Sequence, residues 1–268
     1  NGVEIALNTV NIKTKDFTWT TDLIYSHMHN EVTELNTLNR MYDYISGSGF
    51  TMPGYPQRSL FSIPFMGLNN EGLPTFLDQD GNVSVTGINM QEYDPERLKF
   101  LKYEGPVDPT DVGSLGNVFR YKGVTLNLFI TYSFGNVVRL DPVFSSSYSD
   151  LTATPKEFKD RWVKPGDENF TNVPVIASKQ QLNNIAYLST AYQAYNYSTE
   201  RVAKGDFIRM KEISLGYEFP KSITQPLRLS NLSLKLMATN LFLIYADKKL
   251  NGQDPEFFNA GGVANPMP

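Results

Sequence analysis

Val124–Phe134 reads VTLNLFITYSF. Val124, Leu126, Leu128, Ile130, Tyr132 and Phe134 fall on one side of an extended chain, with Thr125, Asn127, Thr131 and Ser133 on the other. Only Phe129 breaks the alternation. A period of two predicts a strand, because successive side chains of a pleated chain point to opposite faces. Lys122 and Gly123 make a tight turn that pairs this run with Val112–Tyr121 as a hairpin. Each arm reaches the roughly 9 to 11 residues that cross a bilayer at barrel tilt.

The same design recurs on both sides of this hairpin. Gly2–Lys13 and Phe17–His29 flank the turn Thr14–Asp16, and the second run sets Phe17, Trp19, Leu23 and Tyr25 against Thr18, Thr20, Asp22 and Ser26. Further on, Ile213, Leu215, Tyr217 and Phe219 oppose Glu212, Ser214, Gly216 and Glu218. Leu232, Leu234, Leu236 and Ala238 then oppose Ser233, Lys235 and Thr239. Every long strand has one greasy and one polar face, as expected where one side meets lipid and the other a watery or plugged lumen.

The connections are unequal. Thr14–Asp16 and Lys122–Gly123 are short, whereas Asn30–Pro56 and Asn136–Lys204 exceed ordinary domain loops. Transmembrane barrels have this inequality, with short periplasmic turns and long extracellular loops. Ser59–Gly67 reads as a strand running back, which requires another outward strand, placed within Thr75–Ile88. Asp94 with Pro95 predicts a short helix through Leu98 and Leu101, and Thr154 with Pro155 another through Phe158 and Trp162. Ser145–Ser149 and the segments around Gly47 and Gly261 read as mobile loops.

The composition closes off several function classes. No run approaches the roughly 20 apolar residues of a membrane helix, a test that alternating barrel strands evade. The formal net charge of -4 offers no broad basic surface, so nucleic acid is not an expected partner. Without cysteine there are no disulfides, thiolate metal sites or cysteine nucleophiles. No phosphate loop, nucleophile elbow or HExxH occurs, so no catalytic residue, cofactor or metal is expected. His27 and His29, the only histidines, would share a strand face without a marked third ligand. Asp78, Asp80 and Gly81 depart from calcium-loop spacing and read as a plain turn. Asp206, Glu212 and Glu218 would lie along one strand face, about 20 Å end to end, too far apart for a catalytic carboxylate pair. The strand pattern begins directly after Asn1 with no targeting peptide, so the sequence is expected to start within a longer protein.

An ordered set of phrases resembles the SusC/RagA family of Bacteroidetes outer-membrane TonB-dependent transporters. They are GVEIALNT at Gly2–Thr9 with DFTWT at Asp16–Thr20, GLNNEGLPTF at Gly67–Phe76, YEGPVDPT at Tyr103–Thr110 and NVFRYK at Asn117–Lys122. YSFGN at Tyr132–Asn136, RWVKPGDE at Arg161–Glu168, RVAKGDFIRMKEISLGY at Arg201–Tyr217, and NLFLI at Asn240–Ile244 with DPE at Asp254–Glu256 follow in the same order. The resemblance implies an all-β fold, a partial antiparallel transmembrane β-barrel forming the carboxy-terminal portion of a barrel of about 22 strands, with long extracellular loops and short loop helices. It also implies a plug in the lumen, a SusD-like surface lipoprotein as lid, energy from the TonB complex, and an oligosaccharide or peptide cargo. Nothing here corresponds to the TonB box, plug, early strands or final strand. Residues 1–268 are therefore expected to be one part of that barrel domain, in the bacterial outer membrane.

Lipid-facing residues are expected at Leu126, Leu128, Ile130, Tyr132, Ile213, Leu215, Tyr217, Leu232, Leu234 and Leu236. Trp162, Tyr187, Tyr192, Tyr195 and Tyr197 are the candidate cargo contacts, since sugar rings and peptides pack on aromatic faces. Packing of the long loop against its neighbours or the lid is the plainer expectation for the four tyrosines. The alternative from another class is a soluble β-sandwich that binds glycans at the cell surface, with the greasy faces turned into a core between two sheets.

Overall fold

A computed structural model of the chain describes residues 1–46, 50–144, 156–258 and 264–266. The expected mobile loop at Ser145–Ser149, the glycines at Gly47 and Gly261, and the cap at Thr154 and Pro155 lie outside the described residues. The chain divides into two units, one made of Asn1–His29, Pro109–Asn136 and Gly205–Asp247, the other of Asn30–Asp108, Val137–Lys204 and Lys248–Pro268.

The first unit is one antiparallel sheet of six strands in sequence order. These are β1 (Gly2–Lys13), β2 (Phe17–Met28), β3 (Asp111–Tyr121), β4 (Val124–Phe134), β5 (Phe207–Glu218) and β6 (Ser233–Ala246). Strand β2 pairs directly with β3, from Phe17 opposite Tyr121 to His27 opposite Asp111. The expected barrel strands at Ser59–Gly67 and Thr75–Ile88 are thereby corrected: residues between β2 and β3 contribute only to small sheets of the second unit. With those two removed, the alternating up and down strand directions close without a gap.

Within the first unit no second layer of strands stacks on this sheet, and its only hydrophobic residue in the buried core is Phe207. Val3, Ile5, Leu7, Leu234 and Leu236 are all at least half exposed. A soluble sandwich would bury that surface against a second layer, so the sandwich alternative is set aside.

The register sorts residues by face. Leu126 opposes Phe119 and Leu215, Leu128 opposes Asn117 and Ile213, and Tyr132 opposes Gly113 and Ile208. Bare Gly113 lets the Tyr132 ring lie across it, and the phenol donates to the Ile24 carbonyl at 3.1 Å on the next strand but one. Phe129, the exception in the alternation, lies on the polar face against its partner Gly116.

A bulge corrects one sequence expectation. Between Met210 and Glu212 the register of β5 against β4 slips by one residue, which flips the parity of everything before it. Ile208 and Met210 therefore join Ile213 and Leu215 on the apolar face. Asp206 precedes the strand, where its carboxylate accepts from the Gly135 amide at 2.7 Å, and does not continue the row of Glu212 and Glu218. Strand β6 compensates through its own irregularity, with Asn240 in the left-handed region at φ 51°.

The second unit holds most of the buried core. Tyr195, Phe76, Ile63, Leu188, Met41 and Ile45 lie in one cluster, each almost wholly shielded from solvent. Around it run short strand pairs, among them Ser59–Ser62 with Lys102–Pro106 and Val137–Arg139 with Val202–Lys204. The helix expected after Asp94 is a single turn: Asp94 caps the Glu96 amide and Leu98 bonds back to Asp94, but no helix propagates. Lys156–Asp160 is a 3-10 turn that buries Phe158.

Candidate functional site

The six-stranded sheet carries the first functional feature, the separation of its faces. Of the ten residues expected to face lipid, nine lie on the apolar face by register, and Leu232 precedes β6, where its carbonyl accepts from the Phe219 amide. The opposite face is polar. There Asn127 donates to Glu212 Oε1 at 3.1 Å, and Asn8 bonds Asp22 across β1 and β2. Two breaks interrupt the apolar face. Trp19 Nε1 and Thr21 Oγ1 both donate to Asn117 Oδ1, at 2.9 and 2.7 Å. At the strand ends, Asp111 accepts from the Tyr25 hydroxyl at 2.7 Å and lies 2.8 Å from His27 Nδ1. His29 falls beyond the end of β2, so the two histidines do not share a strand face as expected.

The candidate cargo residues cluster around a helix that sequence reasoning took for loop, Leu188–Asn196. Leu188, Ala191, Tyr192 and Tyr195 recur at the helical spacing of three and four and form its buried face. Tyr192 donates to the Val175 carbonyl at 2.6 Å, and its ring meets Phe144. Tyr195, 1% exposed, sits edge-on to Phe65 and Phe144, and burial pushes its phenol pKa up. Both rings are buried in packing among the described residues.

Trp162 is committed as well. Its indole Nε1 donates to Glu168 Oε2 at 2.9 Å, which with the Gly166 amide holds that carboxyl below its ordinary range. The ring lies so close over Gly72, at φ 74°, that a Cβ there would collide with it. Tyr197 is half-buried. Its pKa is pushed up to about 12 by burial and then by the Tyr42 hydroxyl, 3.4 Å away. The Arg139 guanidinium lies 5.6 Å from its ring centroid, fully buried, donating to the Phe61 carbonyl at 2.7 Å and Ser62 Oγ at 3.3 Å. Desolvation lowers the Arg139 pKa to about 10, leaving it charged at neutral pH.

Tyr187 differs. It is the N-cap of the helix, in the left-handed region at φ 62°, and its ring is 75% exposed. With Thr190 and Gln193 of the helix's other face it lines a groove of about 660 Å³, closed on the far side by Arg40, Asn89 and Gln91. Arg40 is preset by bonds to Gln91 Oε1 at 3.1 Å and to Asp43. An exposed phenol, three amides, a hydroxyl and one cation suit a ligand rich in hydroxyls or amides, by stacking plus hydrogen bonds. Tyr187→Asn, which keeps a residue at ease in the left-handed region, is expected to weaken binding about tenfold, as the loss of one aromatic contact would. Calorimetry with a starch hydrolysate and a casein digest measures this, and the melting temperature should not move.

No protein-family model matches the chain. TonB-dependent receptor P39 of Formosa agariphila is 26% identical over 99% of this chain, and receptor P3 of the same organism is 24% identical over 95%. This chain spans between 25% and 28% of the length of these two relatives. Among solved structures, the RagAB peptide transporter superimposes on all of this chain with a TM-score of 0.68 at 21% identity. The fold is that of a RagA-type transporter barrel. The RagAB peptide importer in its "open-open" and "closed-closed" states gives TM-scores of 0.67 and 0.66. The present chain covers 28% of the RagAB transporter chain, so it is a partial barrel of that type.

Proposed function

We propose that this chain forms barrel wall and loops of a TonB-dependent importer in a bacterial outer membrane, with β1–β6 spanning the bilayer. The second unit, on this reading, is extracellular, works beneath a SusD-like lipoprotein lid, and contacts an oligosaccharide or peptide through the Tyr187 groove. The observation that carries the reading is the six-stranded sheet itself: strands of 11 to 14 residues, apolar on one face and polar on the other, with no second layer within its own unit. Such a sheet is stable where hydrocarbon solvates the apolar face and each backbone group is paired within the sheet. Similarity to TonB-dependent receptors along nearly the whole chain supports the same reading.

The test is accessibility of single cysteines in the full-length receptor in lipid. Leu128→Cys and Leu215→Cys are expected to resist a membrane-impermeant maleimide, while Asn127→Cys on the opposite face reacts once the lumen is open. Rapid labelling at Leu128 and Leu215 would refute the proposal.

A further inference from the structure

The turn end of the six-stranded sheet is basic although the chain is acidic. Its three connections, Thr14–Asp16, Lys122–Gly123 and residues 219–232, carry Lys15, Lys122, Lys221 and Arg228 against one carboxylate, Asp16, in a chain of formal net charge -4. The opposite strand ends mix both signs, with Glu4, Asp111, Asp206 and Asp247 beside Lys204, Lys248 and Lys249.

The cations sit beside the apolar face. The Lys122 ammonium lies 5.3 Å from the Tyr121 ring centroid. Tyr121 opposes Phe17 and Val124 on that face and is itself half exposed. Next to it Trp19 stacks on Phe119 with centroids 5.6 Å apart, and Phe219 packs edge-on to Tyr217 at 4.9 Å. Aromatic rings with a cation at their rim match the headgroup level of a bilayer, where one end of the group is dry and the other wet.

The connection 219–232 is the unusual member. It is a folded turn: Lys221–Thr224 is helical, the Leu229 amide bonds the Thr224 carbonyl, and Lys221 Nζ donates to the Ser230 carbonyl at 2.6 Å. Thr224 is buried, yet Ile223, Leu227 and Leu229 are left 44%, 58% and 44% exposed. A structured turn that displays aliphatic side chains between two cations has the composition of an interfacial anchor.

We propose that this rim docks on anionic phospholipid headgroups, with Ile223, Leu227 and Leu229 at the glycerol level and Lys122, Lys221 and Arg228 on phosphate. The inference rests on the membrane-spanning reading above and adds selectivity for lipid charge. A protein domain inside the lumen is the less favoured occupant, because Tyr121, Tyr217 and Phe219 belong to the face turned away from the polar one.

The experiment places the full-length receptor in nanodiscs and compares contact with spin-labelled phosphatidylglycerol and phosphatidylcholine. The wild type is expected to select phosphatidylglycerol, and each of Lys122→Gln, Lys221→Gln and Arg228→Gln to cut that preference roughly fivefold at low salt. Added salt should erode it further. Equal contact with the two lipids, or a preference that survives the triple substitution, overturns the proposal. Maleimide protection of Leu128→Cys, read in the same discs, separates the two ideas: protection without lipid preference sinks this inference alone, and exposure sinks the spanning reading with it.

Discussion

Leu128→Arg is expected to destabilise the folded barrel by about 2–4 kcal/mol, the cost of a cation on the lipid face near the bilayer midplane. Leu128 sits at the middle of β4, opposite Asn117 on β3 and Ile213 on β5. On the proposed membrane-spanning reading it lies near the bilayer midplane, where an Arg side chain has a long way to reach water. Asn127→Arg is the matched control. One residue away on the polar face, it would stand beside Glu212 and should cost little. Urea titration of the receptor refolded in vesicles, followed by its heat-dependent gel mobility, gives both values. Equal losses at the two positions would mean that the faces do not see different solvents.

Tyr195→Ala is expected to cost about 3–5 kcal/mol, as deletion of a large buried aromatic does. The ring is 1% exposed and meets Phe65 and Phe144 edge-on, so its removal leaves a cavity that no neighbouring loop can readily fill. The effect should be confined to the second unit, whose own core this residue anchors. Limited proteolysis of the connections should then speed up by two orders of magnitude or more where cleavage follows local opening. Meanwhile the gel mobility of the folded barrel should persist. The contrast with Tyr187→Asn, a tyrosine eight residues earlier that should leave stability alone, separates a packing ring from a binding ring.

The long strands were readable from sequence because each has two faces of opposite polarity, which leaves a period of two. Gly2–Lys13 and the turn Thr14–Asp16 fall where the alternation places them, and β2, β3 and β4 differ from the reading by a residue at most. The bulge at Lys211 also left a mark, in the shift of apolar parity from Ile208 and Met210 to Ile213 and Leu215. That signal was present and was missed. The second unit was less readable for a physical reason. Its strands run only two to five residues among the connections before β5, too short to show a period, and Ser59–Ser62 is buried at every position whatever the polarity of its side chains. The helix Leu188–Asn196 did carry a period, but four tyrosines between Tyr187 and Tyr197 drew attention as rings and not as spacing. The burial that distinguishes Tyr187 from Tyr195 arises from tertiary packing and has no local sequence mark.

The direct pairing of β2 with β3 bears on how this molecule is made. Strand neighbours joined by the Met28 amide and the Thr110 carbonyl at 2.8 Å are separated in the chain by the whole of residues 29–109. Closing so long a loop in one step is slow, because non-local contacts must form before anything rewards the lost chain freedom. The intervening segment shortens that loop in two steps: Asn30 Oδ1 accepts from the Gln57 amide at 2.8 Å, and the Val107 amide bonds the Arg58 carbonyl at 2.8 Å beside the Arg58–Asp108 ion pair. Pairing of β2 with β3 is therefore expected to follow folding of residues 30–108, so that a destabilising substitution in that segment should slow assembly of the sheet.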